Sequence, residues 1–409
     1  MILTMPEGSP LHERTSALNK SFLWKDWSGY AAPCAYTAHS EREYFAIRSS
    51  AAMLDVSPLQ KMDVRGADGA RLLARVFTRD ITQLGVGRVT YGALVNEEGW
   101  IVDDGTIARL GETHWRVSTS EPCAAWVGSQ GRGLDVQVED ISRNLAVLAV
   151  QGPRARAICD AVTDIDLTKM RFFRVQEGQV GGVPGWVSRT GYTGDLGYEL
   201  WVAADKGPAL WDALMDAGAP HGLEPCGLDA LDVARIEAGF VLQGVDYVSA
   251  RFAPSEWHKL SPVEAGLGFT VDTEREVELL GMARIRRHLE GDRRWTFVRL
   301  LYDIPAIEAL HDRIGLPPHF APQACRETVP LFAPGGKQVG RVTSSTWSPT
   351  TKGQLALGSV QKGFGEPGAK LQVEYTVRGE RHKIPCVVQE KPFFTPKRTR
   401  RTPGLRRSK

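Results

Sequence analysis

The sequence predicts an α+β fold that closes with a small β-barrel, and three observations lead there. At 409 residues the chain is longer than one ordinary hydrophobic core, so two or three domains are expected. Its first two-thirds mix strand-like alternation with runs of helical spacing. From Arg294 onward strand signals dominate.

In chain order, residues 60–66 (QKMDVRG) alternate like a strand, and ADGARLLARVF (67–77) follows with Leu72, Leu73 and Val76 at helical spacing. Strand signals return over Arg88–Val95, turn at Glu97-Glu98-Gly99, and continue through Ile101–Leu110 and His114–Thr119. Strands crossed by helices in this way predict a ferredoxin-like module. KGPALWDALMDAG (206–218) is an amphipathic helix. LDALDVARIEAG (228–239) is a second, closed by Gly239. The barrel strands are Trp295–Leu301, Lys337–Ser344, Gln354–Val360, Lys370–Val377 and Ile384–Gln389. Between Asp303 and Arg326 a short helical piece precedes Pro317-Pro318 and Pro322, which reads as an insertion or as an ordinary surface loop. The expected division is 1–283 as two interleaved α+β domains, 284–391 as the barrel with its insertion at 303–326, and 392–409 as a basic, disordered tail.

Composition narrows the function classes. Hydrophobic content of 42% and charged content of 24% are those of a globular protein in water. No apolar run reaches membrane-spanning length and the N-terminus lacks an apolar block, so a cytoplasmic protein is expected, with no membrane partner. The six cysteines are far apart with no CxxC pair, as reduced thiols would be. The nine histidines show no close ligand spacing, so no metal is expected. Residues 397–409 hold seven Lys or Arg and no acid. No aromatics interleave them, so nucleic acid is not an expected partner and a solubilising end is the simpler reading. Oligomeric state is not legible.

The most specific segment is VSRTGYTGDLGYELWV (187–202), two strand-like halves around a glycine-rich turn. Glu199 interrupts the apolar alternation of the second half. It is either a solvent-facing acid or one held for a ligand with several N–H donors. Asp103 and Asp104 end another strand-like run, where paired acids serve acid/base work or a turn equally well.

SRTGYTGDLGYEL resembles SRTGYTGEDGFEI, a signature of the glycine-cleavage T-protein (aminomethyltransferase) superfamily. The likeness continues in order through REYFAIRSSAAMLDVSPLQKMDVRG (42–66), YGALVNEEGWIVDD (91–104), LAVQGPRA (148–155), GLDALDVARIEAGF (227–240), SPVEAGLGFTVD (261–272) and VGRVTSSTWSPTTKGQLALGSV (339–360). It implies a three-domain cloverleaf around a central cavity for tetrahydrofolate. It also implies that Asp104 is the carboxylate near the transferred carbon and Glu199 the acid that grips the pterin edge. Asp103 is left structural, and Tyr192 and Tyr198 are left as hairpin scaffold. Tyr91 matches an aromatic lining the folate cavity, or packs in its strand. Arg235 matches an arginine that holds the folate or its own helix; an ion pair with Asp232 explains it as simply. Trp347, with Ser348, closes the cavity from the barrel side or packs in the core.

The pattern departs after the second helix, where LQGVDYVSA stands in place of a segment like LYGHEL. Tyr247 there matches a tyrosine of the superfamily's aryl-ether O-demethylases, and a phenol of pKa about 10 can steady a departing ether oxygen. With the 303–326 insertion, this points to a tetrahydrofolate-dependent demethylase acting on a small methyl donor, a methoxylated aromatic being favoured. The rivals are a glycine-cleavage aminomethyltransferase making methylenetetrahydrofolate, and a non-catalytic folate-binding protein.

Overall fold

The protein was analysed as a computed structural model that describes residues 5–402. Two sheets and a barrel organise it. The first sheet has six strands in the spatial order Val175–Val180, Val183–Ser188, Gly197–Ala203, Leu145–Gln151, Ala51–Asp55 and Leu223–Pro225. Only the last pairing is parallel. Ala51–Asp55 and Leu145–Gln151 are almost wholly apolar and buried, as strands covered on both faces must be.

The second sheet has five antiparallel strands, ordered Val89–Val95, Ile101–Gly111, His114–Thr119, Gln60–Arg65 and Gln137–Asp140. Without the edge strand Val89–Val95, the rest follow the 4-1-3-2 order of a ferredoxin-like unit. Helices Gly69–Val76 and Ala124–Gln130 are its crossovers. Leu72, Leu73 and Val76 fill the core beneath it with Phe77, Trp115 and Val117. The chain leaves the first sheet at Asp55, builds the second between Gln60 and Asp140, and re-enters the first at Leu145. Each sheet is therefore fixed by the other.

Six strands close the barrel, with Glu380–Gln389 returning to pair with Trp295–Tyr302. Closure leaves no unpaired edge. The 303–326 segment is more than a surface loop. Asp303 caps the helix Ile304–Arg313 by accepting from Ala306 N at 3.0 Å, and that helix packs Ile307 and Leu310 into the barrel core.

Helix Leu228–Ala238 joins barrel to sheets. Ile236 packs on Leu355 and Leu357, and the neighbouring Glu237 carboxylate, fully buried, accepts from Tyr44, Arg48 and Ser348. Gly239 ends the helix at φ 71°, where a Cβ would lie 2.5 Å from Arg299 Nε.

The tail departs from expectation. Disorder was anticipated from residue 392, yet the chain through Thr402 is docked by side-chain bonds from Arg398 and Thr399 and by Arg189. The buried Asp195 carboxylate of the body holds Arg398 in place. Residues 403–409 lie outside the described residues.

Candidate functional site

Strand register sets a polar layer between the sheets. Tyr91 pairs with Thr106, Thr106 with Ser118 and Ser118 with Lys61, so these four side chains form a row across one face of the second sheet. At 4.7–4.9 Å per strand such a row spans roughly 14 Å. Asp104, two residues before Thr106, shares the face. The first sheet lies opposite: Val89, Ala108 and Leu110 pack with Val147, Ala149 and Trp201, and the Arg116 guanidinium sits 5.4 Å from the Trp201 ring centre. Glu199, two residues from Trp201, faces the row. Tyr91, Thr106, Ser118 and Glu199 are only half-buried, unlike the apolar residues around them.

Asp104 is held by two phenols. Tyr91 Oη donates to its Oδ2 at 2.6 Å and Tyr247 Oη donates to its Oδ1. Burial raises its pKa, and the two tyrosines oppose that rise. Asp103 is fully buried. Its Oδ1 accepts Asp104 N and its Oδ2 accepts Glu121 N, both at 2.8 Å. Burial and the neighbouring Asp104 charge push Asp103 well above the usual carboxylate range. Both phenols are pushed up by burial and by Asp104, so they remain protonated donors. An acceptor fixed on two sides presents its remaining lone pairs in one direction, as orienting a reacting amine requires.

Glu199 accepts from Thr190 Oγ1 at 2.8 Å. Burial raises its pKa, while Thr190, Trp201 and the Lys61 charge hold it down. Lys61 is itself buried, with Nζ donating to Ser57 O at 2.6 Å, and burial lowers its pKa to about 7 against the pull of Asp55 and Glu199. Arg116 gives Nε and Nη2 to Asp63, leaving its buried Nη1 without a partner.

Three expected site residues take other places. Tyr247 is 2% exposed and donates its proton to Asp104, so it shapes that acid. Arg235 donates to Asp232 at 2.7 Å, Asp246 at 2.5 Å, Ser344 at 2.7 Å and Phe240 O at 3.2 Å. It ties helix, loop and barrel together instead of facing a ligand. The anticipated Asp232 pair exists, but buried. Trp347 stacks on Phe320 of the 303–326 segment at 4.4 Å, on the opposite side of its strand from Ser344 and Ser348, which reach Arg235 and Glu237.

Tyr192, expected to be scaffold, belongs near the site. It stacks on Phe240 at 5.6 Å, donates to Val241 O, and feels the charges of Arg235 and Asp104. Lys61 and Arg116 carry no mark in the sequence, because the polar phase of an alternating strand ordinarily faces solvent. Here that phase faces the other sheet.

Comparison with known proteins decides the family. The family profile described as GCVT N-terminal domain matches residues 11–275, and that of the glycine cleavage T-protein C-terminal barrel domain matches 313–395. The chain belongs to the glycine-cleavage T-protein family. Family members named aminomethyltransferase are similar at 33% identity over 374 residues in Bacillus cereus AH187, covering 90% of this chain and 93% of the relative. The aminomethyltransferase of Geobacillus kaustophilus HTA426 is 35% identical over 367 residues, covering 88% and 92%. The crystal structure of glycine cleavage system aminomethyltransferase T from Bartonella henselae has the same fold, with a TM-score of 0.79 at 24% identity over 95% of this chain and 98% of that one. Tetrahydrofolate is a substrate of the T-protein family. Among the described residues, no cluster of His, Cys, Asp and Glu could hold a metal ion, and no helix is long and apolar enough to cross a membrane.

Proposed function

We propose that this T-protein family member transfers a one-carbon unit from a donor to tetrahydrofolate. The observation that carries this reading is Asp104, clamped by Tyr91 and Tyr247 on one sheet, with Glu199 held by Thr190 on the facing sheet. The residues fit the ligand. A half-buried carboxylate accepts the parallel N–H donors of a pterin edge, and the buried, partnerless Arg116 Nη1 lies in the same polar interior. The reduced folate supplies the ring amine that takes up the carbon. Glu199 would hold the pterin, with Thr190 fixing its orientation. Asp104 would orient the reacting nitrogen and steady positive charge there, and the surrounding sheets exclude water.

Curated aminomethyltransferases at 33–35% identity over about nine-tenths of the chain favour an aminomethyl donor. The product would then be methylenetetrahydrofolate. A second reading, methyl transfer from a small O-, N- or S-methyl donor, rests on LQGVDYVSA standing where the T-protein pattern resembles LYGHEL. Incubation with tetrahydrofolate and either an aminomethylated lipoyl carrier protein or a panel of methyl donors, methoxybenzoates included, separates the two by product mass. No modified folate from any donor would end both.

Two substitutions divide the roles. Glu199→Ala is expected to weaken tetrahydrofolate binding about tenfold to a hundredfold, the worth of one charge-assisted pair, with turnover at saturation largely kept. Tyr247→Phe is expected to lower turnover about tenfold and leave the calorimetric Kd nearly unchanged, because it removes a donor from Asp104 and not from the ligand. Equal damage to both parameters in both variants would refute the division.

A further inference from the structure

We propose that the C-terminal strap 394–402 is part of the binding machinery, with Arg398 as a positioning residue that acts through the turn 190–196. The proposal rests on the folate reading above. It accounts for part of the basic run that the transfer chemistry leaves unused.

The turn carries side chains of the polar layer at its start. Thr190 holds Glu199, and Tyr192 stacks on Phe240 near Asp104. Locally, Thr193 Oγ1 donates to Gln151 at 2.9 Å, and Asp195 caps Leu196 N at 2.8 Å. Its remaining anchors come from distant chain. Arg48 donates to Thr193 O at 2.9 Å. Gly152 N donates to Leu196 O at 2.7 Å, Gln151 Nε2 to Thr190 O at 3.4 Å and Tyr192 Oη to Val241 O. Gly194 O and the Asp195 carboxylate are tied chiefly by the strap.

Those ties are specific. Arg398 grips Asp195 through Nε at 2.6 Å and Nη2 at 2.7 Å, a two-point pair on a carboxylate with 0% side-chain exposure. Arg48 approaches the same carboxylate only at 3.5 Å. Thr399 Oγ1 donates to Gly194 O at 2.8 Å. Arg189, the residue before Thr190, donates to Thr399 O at 3.1 Å, Arg401 O at 2.8 Å and Thr402 Oγ1 at 2.8 Å. The strap is itself seated by Phe394, whose N–H donates to Glu237 O at 2.9 Å and whose ring lies 4.2 Å from the Arg48 guanidinium. The strap thus grips the turn on both flanks, at Arg189 before it and at Gly194 and Asp195 within it. Gly194 sits at φ 73°, with a Cβ there 2.6 Å from Ala238 Cβ, so the turn is pressed between strap and helix end with no room to drift inward.

The geometry predicts a binding effect from a residue that touches no ligand. Without Arg398, the Asp195 carboxylate loses both of its short cationic contacts. Thr190 and Tyr192 then sample positions away from Glu199 and Asp104. A site whose supporting shell is loosened by about 1 Å loses function steeply.

The test uses the full chain. Arg398→Ala is expected to weaken tetrahydrofolate binding about tenfold by calorimetry and to speed amide hydrogen exchange across residues 190–196, with exchange in the barrel strands unchanged. Arg398→Lys, which keeps the charge but not the two-point grip, should recover only part of the affinity. Thr399→Val removes the single bond to Gly194 and provides a milder variant should Arg398→Ala fold poorly. It should show the same pattern at smaller amplitude. Folate affinity and exchange both matching the unsubstituted protein in these variants would overturn the proposal. If the unsubstituted protein binds no tetrahydrofolate, the folate reading fails on its own, and exchange over 190–196 alone still upholds or overturns the strap.

Discussion

Asparagine in place of Asp104 is expected to cut turnover with tetrahydrofolate by about 10²- to 10³-fold while changing folate affinity by no more than about threefold. The acid receives a phenol proton on each carboxylate oxygen, from Tyr91 at 2.6 Å and from Tyr247. An amide can accept at only one of those positions. Its NH₂ would meet a second phenol that must then turn its own proton elsewhere. With Tyr247 at 2% exposure, its other acceptor is Asp103 Oδ1, distant at 3.4 Å. The Asp104→Asn site would therefore lose both its charge and its fixed direction. Affinity should survive because the pterin is assigned to Glu199, roughly on the far side of the Tyr91–Lys61 row. Single-turnover rates and calorimetric Kd, measured on the same preparation, check the split. A variant that turned over within about fivefold of the parent would remove Asp104 from the chemistry altogether.

The parts of this site that the sequence revealed are those held by local rules. The turn 190–196 announces itself through glycines, and Glu199 through an acid in an apolar phase. Asp104 stands out only with the family signature, since two adjacent acids carry no local label saying which one faces a cavity. The placement of Trp347 has a definable reason. The strand Gln338–Ser348 carries a bulge between Val342 and Ser344, so Thr343 and Ser344 both reach Asp246, at 2.5 and 2.7 Å. One extra residue reverses the phase of all that follow, which sends Trp347 to Phe320 and Ser348 to Glu237. Counting alternation along TSSTWSP cannot detect it. The basic tail misled because charge density reports solvation in isolation, while Asp195 and Glu237 lie some 150 residues or more upstream. Pairings that distant are set by tertiary packing alone.

Arg235 gives the largest expected effect on stability. Methionine at this position should destabilise the protein by about 3–5 kcal/mol in urea unfolding, the usual loss when one member of a buried ionic cluster is removed. The guanidinium is 1% exposed and binds Asp232, Asp246, Ser344 and Phe240 O in four directions. Asp246 also accepts from Thr343 and Ser344 of the barrel and from Leu242 N of the loop that leads to Tyr247. Removing the cation leaves Asp246 buried with neutral donors only, whereas Asp232 keeps Arg326 at 2.6 Å. The damage should accordingly concentrate where the barrel meets the loop 240–247. Arg235→Lys should recover less than half of the loss, because an ammonium cannot serve four fixed acceptors at once. The same measurements distinguish a hub from the ligand contact that the family resemblance implied. A contact residue would lower tetrahydrofolate affinity and leave the urea midpoint in place. A hub shifts the midpoint first, and affinity falls only as far as Tyr247 moves from Asp104.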